Sequence, residues 1–213
     1  MPSKPLHATT RSTTRKALSS MVFLAETPDD FTSPSPLKDG FVVDENSIPT
    51  GQNVFFSNSW KHATPLPSPA EVRQAANGPN HIKGSVGRQQ IICFSNLQLI
   101  VKYGDTSRTP VSEGQNLWLL SFLPDMRVPK VYGWCVDGDQ MFLYMERIEG
   151  VTVEERWPSL SASEKLAVAK QLNSMISSMR RLKQAPGNSY IGQFPSHVFH
   201  LSSLLRLFFN QIN

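Results

Sequence analysis

The sequence has only two cysteines, no uninterrupted apolar run of membrane-spanning length and no large surplus of either charge sign. Each shortage removes a class of protein. Cys93 and Cys135 stand outside any Cys-x-x-Cys or Cys/His spacing that zinc requires, so they read as buried thiols in a reducing compartment, not as a disulfide framework. A membrane span needs roughly 18 or more consecutive apolar residues, and none occurs; the N-terminus also lacks the apolar core of a secretory signal. Twenty-one Lys and Arg against seventeen Asp and Glu leave +4 over 213 residues, too small and scattered a surplus to make a nucleic-acid surface. What remains, at 39% hydrophobic positions, fits one modest globular domain plus a less ordered part, in a cytoplasmic protein without membrane span or nucleic-acid partner.

Proline is unevenly placed. Ten of the sixteen fall in residues 1–80, among Ser, Thr and Asn and without a sustained period of 2 or 3.6. Such a composition buries too little apolar surface to offset ordering entropy, which predicts a mostly disordered segment. Its first 25 residues lack acids and carry Lys4, Arg11, Arg15 and Lys16 among hydroxyl residues, a composition that keeps mitochondrial import open as the alternative to a solvated basic tail. A short apolar island at Val42, Val43, Val54, Phe55, Phe56 and Trp60 has no docking site legible in the sequence.

Order is expected to begin near His81. The runs 89–94 and 97–104, broken by Ser95-Asn96, read as two strands of a hairpin. Pro110 precedes a short helix over 112–123, with Ser112 as a candidate cap and Leu117, Leu120 and Leu123 at helical spacing before Pro124. Strands over 130–136 and 140–146 flank Asp137-Gly138-Asp139, a turn whose glycine can take positive φ. After Gly150 the period changes: Ser161 and Glu164 have capping-box spacing, and Leu166, Ala169, Leu172, Met175, Ile176 and Met179 trace one face of a long helix over 163–182. Residues 194–213 form a divergent apolar tail with Leu201, Leu204, Leu205 and Phe208 at i, i+3, i+4 and i+7, a pattern suited to joining a protein partner through 199–209. His197 and His200 have no carboxylate or cysteine near them and read as polar interruptions, not metal ligands. The fold class is α+β: an antiparallel sheet of four or five strands with one packed helix, then a helical part.

Lys102 on a strand and Glu113 at the start of the next helix have the spacing at which a carboxylate can pin a long cation. Around them run, in order, Lys102-Tyr103-Gly104, a helix with a glutamate, Pro129-x-Val131-Tyr132-Gly133, Met145-Glu146 closing in Ile148-x-Gly150, Trp157 before a helix, and Tyr190-Ile191-Gly192. In this series the chain resembles the fungal branch of the aminoglycoside phosphotransferase-like family, across residues 100–192. The resemblance implies a kinase-like small lobe with its linker at 81–150 and the start of a helical large lobe at 151–193. It implies ATP as cofactor, with Lys102 on the phosphates, Glu113 as its partner, Met145 at the back of the adenine pocket, and the carbonyl of Glu146 and N–H of Ile148 on the adenine edge. Gly84-Ser85-Val86-Gly87 is a weak candidate for a phosphate cover, since it matches no full Gly-x-Gly-x-x-Gly.

The departures from the family bear on activity. Phosphoryl transfer there uses a later His-x-Asp loop and further residues that hold magnesium, whereas Asp139 is the last aspartate of this chain. The expectation is a truncated or inactive form without its general base and magnesium ligands, whose phosphate acceptor is not legible. The alternatives are a non-catalytic binding or regulatory protein that keeps the nucleotide pocket and uses its apolar tail, and a chain too incomplete to fold stably.

Overall fold

The computed structural model describes residues 41–43, 48–79, 82, 89–107, 109–123, 126–184, 193–194 and 197–198. Within them the fold is mixed α+β: an antiparallel five-stranded sheet and four α-helices. The sheet has the order β2-β5-β6-β4-β3, where β2 is Val54–Phe55, β3 is Gln90–Phe94, β4 is Leu99–Asp105, β5 is Val131–Asp137 and β6 is Gln140–Glu146. A parallel pair joins β1 (Phe41–Val43) to β7 (Leu182–Gln184), and β8 (Gln193–Phe194) pairs with β9 (His197–Val198).

Both central hairpins form where the apolar runs and polar breaks place them. Between β3 and β4 the break is longer than a tight turn: Ser95–Leu97 makes a 3-10 turn and Gln98 takes φ 47°, so Leu97 leaves the strand. Between β5 and β6, Asp137 faces Gln140 across a two-residue turn with Gly138 at φ 67°. Helix α2 (Val111–Leu120) begins one residue earlier than the leucine spacing indicates, and its N-cap is Pro110, not Ser112, which lies buried inside the first turn. Helix α4 (Ala162–Arg180) has the full capping box: Glu164 N–H donates to Ser161 Oγ, and Ser161 N–H to the Glu164 carboxylate. Its apolar face packs only toward the C-terminal end. Met175 is buried with Met179 and Leu182 against the main cluster, while Leu166 and Ala169 are exposed.

The expectation of a mostly disordered segment up to residue 80 fails for residues 48–79, and with it the start of order at His81. Val54 and Phe55 pair with Trp134 and Gly133 of β5. Ser68, Pro69 and Glu71 then open α1 (Pro69–Ala75) with a capping box and a proline in the first turn. Prolines that discourage a long helix are compatible with this short, capped one. Gly133 makes the pairing possible: a Cβ there would meet the Val54 carbonyl oxygen at 2.5 Å, and its φ of 156° disfavours other residues.

As a result both faces of the sheet are covered. On one lie α2 and a cluster with Ile48, Val54, Leu117, Trp134, Leu143 and Met145. On the other, Val72 of α1 is fully buried against Ile92, Leu99, Val101, Phe142 and Tyr144, with Phe55, Trp60 and Leu66 at the margin. Arg73 clamps α1 to the β5–β6 turn, donating to Asp137 Oδ2 at 2.6 Å and Gln140 Oε1 at 2.8 Å while its guanidinium lies over the Phe142 ring.

Cys93 and Cys135 are both free thiols. They sit on β3 and β5, three strand spacings apart, roughly 14 Å and beyond disulfide reach. Cys135 is buried as expected, whereas Cys93, on the edge strand, is half-buried. No helix of the described residues is long and apolar enough to cross a membrane. The basic N-terminal stretch, Gly84-Ser85-Val86-Gly87, His200 and the 199–209 tail lie outside the described residues; His197 lies in β9.

Candidate functional site

Strand β4 alternates its side chains between the two covers. Leu99, Val101 and Tyr103 join the α1 cluster, whereas Ile100 packs on the α2 side. Lys102 shares the face of Ile100, opposite Leu143 of β6, so its stem runs toward α2. The chain returns over a compact turn. Thr109 N–H donates to the Asp105 carbonyl, Ser107 N–H to the Asp105 carboxylate and Thr106 N–H to the Asp139 carbonyl. That turn brings Glu113, in the first turn of α2, back over Lys102.

The pair meets with both carboxylate oxygens. Lys102 Nζ lies 2.7 Å from Glu113 Oε1 and 2.8 Å from Oε2, and the side chains are only 14% and 10% exposed. A first-turn carboxylate also lies favourably at the positive end of the helix. In so little water the two charges attract far more strongly than a surface pair, at the cost of desolvating both.

Met145 is buried on the same sheet face, opposite Ile100 on β4 and Val131 on β5. Beyond it the chain leaves the sheet. Glu146 N–H donates to the Lys130 carbonyl, the Glu146 carboxylate accepts from Lys130 N–H, and Arg147 N–H donates to the Gln98 carbonyl. Gln98 also reaches Glu149 through its side-chain amide. The Ile148 N–H has no acceptor among the described residues, and its side chain is 40% exposed. Lys102, Glu113 and Met145 therefore share one face. Glu146 ends β6 and Ile148 lies two residues beyond, with Glu146 roughly 10 Å along β6 from the residue facing Lys102.

Two aromatic hydroxyls and a thiol lie buried in or beside β5 and β6. Burial, with the Glu146 carboxylate adding to it, pushes the Tyr132 hydroxyl up. Burial also pushes the Cys135 thiol up to about 11 and the Tyr144 hydroxyl above its usual range. All three are thus held neutral at ordinary pH. None is a nucleophile in waiting.

The sequence reading missed the side chains that seat α2. Gln115 Nε2 donates to the Pro49 carbonyl at 2.7 Å, Trp134 Nε1 donates to the Gly51 carbonyl at 3.0 Å, and Phe56 stacks on Trp118. The short apolar run at Val54 to Phe56 was the available signal, but nothing in the sequence identifies its partner. A concavity lies between α3 (Val153–Arg156) and α4, lined by Val153, Leu160, Glu164 and Val168, and none of Lys102, Glu113, Met145, Glu146 and Ile148 lines it. Among the described residues, no group of three or more His, Cys, Asp or Glu side chains is placed to hold a metal ion. In comparison with known proteins, no family model and no curated protein matches the sequence.

Proposed function

We propose that the chain is a kinase-like small lobe of the aminoglycoside phosphotransferase-like type that binds an adenine nucleotide without transferring its phosphate. The observation that carries this reading is the Lys102–Glu113 bond: a two-oxygen ion pair, largely buried, between strand β4 and helix α2. A cation fixed in this way suits phosphate charge, because nucleotide oxygens can join a lysine whose position the glutamate already sets. The free Ile148 N–H, two residues past the end of β6, suits the adenine edge, with the Glu146 carbonyl near it and Met145 behind. These residues fit ATP. Residues 140–213 hold no aspartate, so within them no carboxylate of the His-x-Asp kind is placed to take a proton from an acceptor hydroxyl, and magnesium would be held mainly by the nucleotide.

A second reading has its own observation. Ile148, Val151, Trp157 and Leu166 are large apolar residues each 40 to 56% exposed, area that a protein partner of a non-catalytic module would cover. Calorimetric titration of the full chain with ATP and magnesium separates the two. The nucleotide reading expects saturable binding that Lys102→Ala weakens by about tenfold or more, the loss of one charge-assisted contact, with no ADP released. Absence of binding at millimolar ATP, or binding indifferent to Lys102→Ala, would overturn it and leave the partner-binding reading standing.

A further inference from the structure

We infer that residues 48–56 form a built-in pin that holds α2 in the position at which Glu113 grips Lys102. Four contacts from this segment converge on the helix and on the strand beneath it. Gln115, two residues beyond Glu113, donates to the Pro49 carbonyl at 2.7 Å. Trp134 lies directly under α2: a Cβ on Gly114 would meet its ring at 2.6 Å, and the indole N–H is fixed by the Gly51 carbonyl at 3.0 Å. Phe56 stacks on Trp118 of α2, with ring centroids 6.1 Å apart and planes 11° apart, and meets the Trp134 ring edge-on at 5.7 Å. Ile48 and Val54, each 5% exposed, bury in the cluster that contains Leu117, Leu119 and Leu120 of the same helix.

The physical consequence is local. Without the pin, α2 rests on the sheet through one face only, and the amide of Gln115 and the indole of Trp134 each lose a partner. A two-oxygen bond tolerates little movement of its helix, so a small shift of α2 opens it. Phe56 and Gln115 are thus positioning residues, acting on the pair through α2. The pin matters to phosphate binding only if the pocket takes a nucleotide, so its role rests on the reading above. The test below uses no nucleotide, and the two readings fail separately.

The test measures how fast the Lys102 amine is acetylated by a limiting amount of acetic anhydride, followed by mass spectrometry of the full-length protein's peptides. Exposed Lys61 and Lys170 serve as internal references. Glu113→Gln sets the rate for a released lysine, because an ammonium held between two carboxylate oxygens reacts only when the bond opens. Phe56→Ala is expected to raise the Lys102 rate about fivefold or more toward that limit with the reference rates unchanged. Phe56→Tyr, which keeps the stacked ring, restores the slow rate. Gln115→Met, which keeps volume and loses the bond to Pro49, moves the rate the same way by a smaller factor. If Phe56→Ala shows no cooperative unfolding transition, Gln115→Met decides. Lys102 rates that stay within about twofold of wild type in the folded variants overturn the pin.

Discussion

Glu113→Leu separates what the ion pair contributes to folding from what it offers a ligand. Its partner is 14% exposed, and among the described residues Lys102 has no second carboxylate at ion-pair distance. Removing one side of a buried pair typically costs about 3–5 kcal/mol, because the remaining charge stays desolvated. Lys102 retains some exposure and a long stem, so its head can move toward water, which lowers the expectation to ~2–3 kcal/mol. Lys102→Met combined with Glu113→Leu removes both charges and keeps apolar bulk beside Leu143, and should lie within ~1 kcal/mol of wild type. Lys102→Met alone strands the Glu113 carboxylate, 10% exposed, at a similar ~2–3 kcal/mol, so the coupling between the two positions is ~3–5 kcal/mol. Urea unfolding followed by tryptophan fluorescence reads this well, since Trp118 and Trp134 both sit in the cluster beneath α2. Nucleotide binding should be weakened in the single and the double variant alike, although only the double recovers stability. A cost below ~0.5 kcal/mol for Glu113→Leu would refute the bonded geometry. A double variant as unstable as the sum of the singles would refute the desolvation argument.

Val72→Ala empties part of the cluster on the other sheet face, where Val72 is fully buried, and is expected to cost ~1–3 kcal/mol in the same urea assay; a change under ~0.5 kcal/mol would mean that α1 does not seal that face. Alkali should destabilise the fold through Cys135. Its folded pKa is raised from 9.0 to about 11, so the folded state holds the thiol proton where the unfolded state has lost it. Stability is therefore intact below pH 9 and falls as pH rises toward 11, by at most ~1.4 kcal/mol per pH unit from this group. Urea midpoints measured between about pH 8.5 and 10 should fall less steeply in Cys135→Ala, since the tyrosines contribute to both proteins and the thiol only to the wild type; equal slopes would remove the thiol from the account.

Much of the central fold is legible because its signals are local. Apolar runs around Ser95-Asn96 and Asp137-Gly138-Asp139 specify two hairpins, and Ser161 with Glu164 specifies the start of α4. The spacing of Lys102 and Glu113 was legible too, as a strand residue followed by a first-turn helix carboxylate. Their bond was not, since it depends on the turn at Asp105 and on what holds α2 down. The segment over 48–79 was misread for a related reason. β2 has two residues and α1 seven, too few for a period of 2 or 3.6 to register against a proline-rich background. Phe55, Trp60, Leu66 and Val72 follow the contour of a sheet, not the axis of an element, so their spacing is irregular. Ser68-Pro69-Ala70-Glu71 did carry a helix-start signature, and only its composition-poor surroundings argued against it.

The decisive clue to the second cover lies in β6. An antiparallel strand with one wet face alternates apolar and polar residues, yet Met141 to Met145 is apolar throughout and buried throughout. One helix can shield only one side of such a strand. Something must lie on the other, and among the described residues between 81 and 150 there is no second α-helix. Without residues 54–76, Ile92, Leu99, Val101, Tyr103, Phe142 and Tyr144 would all face water. At about 1.5–3 kcal/mol for each large side chain, discounted for a denatured chain that already buries part of its surface, the loss is of order 10 kcal/mol. That equals the whole stability of an ordinary domain. The N-terminal segment is therefore half of the core of this sheet, and the site on the opposite face exists only because that half is in place.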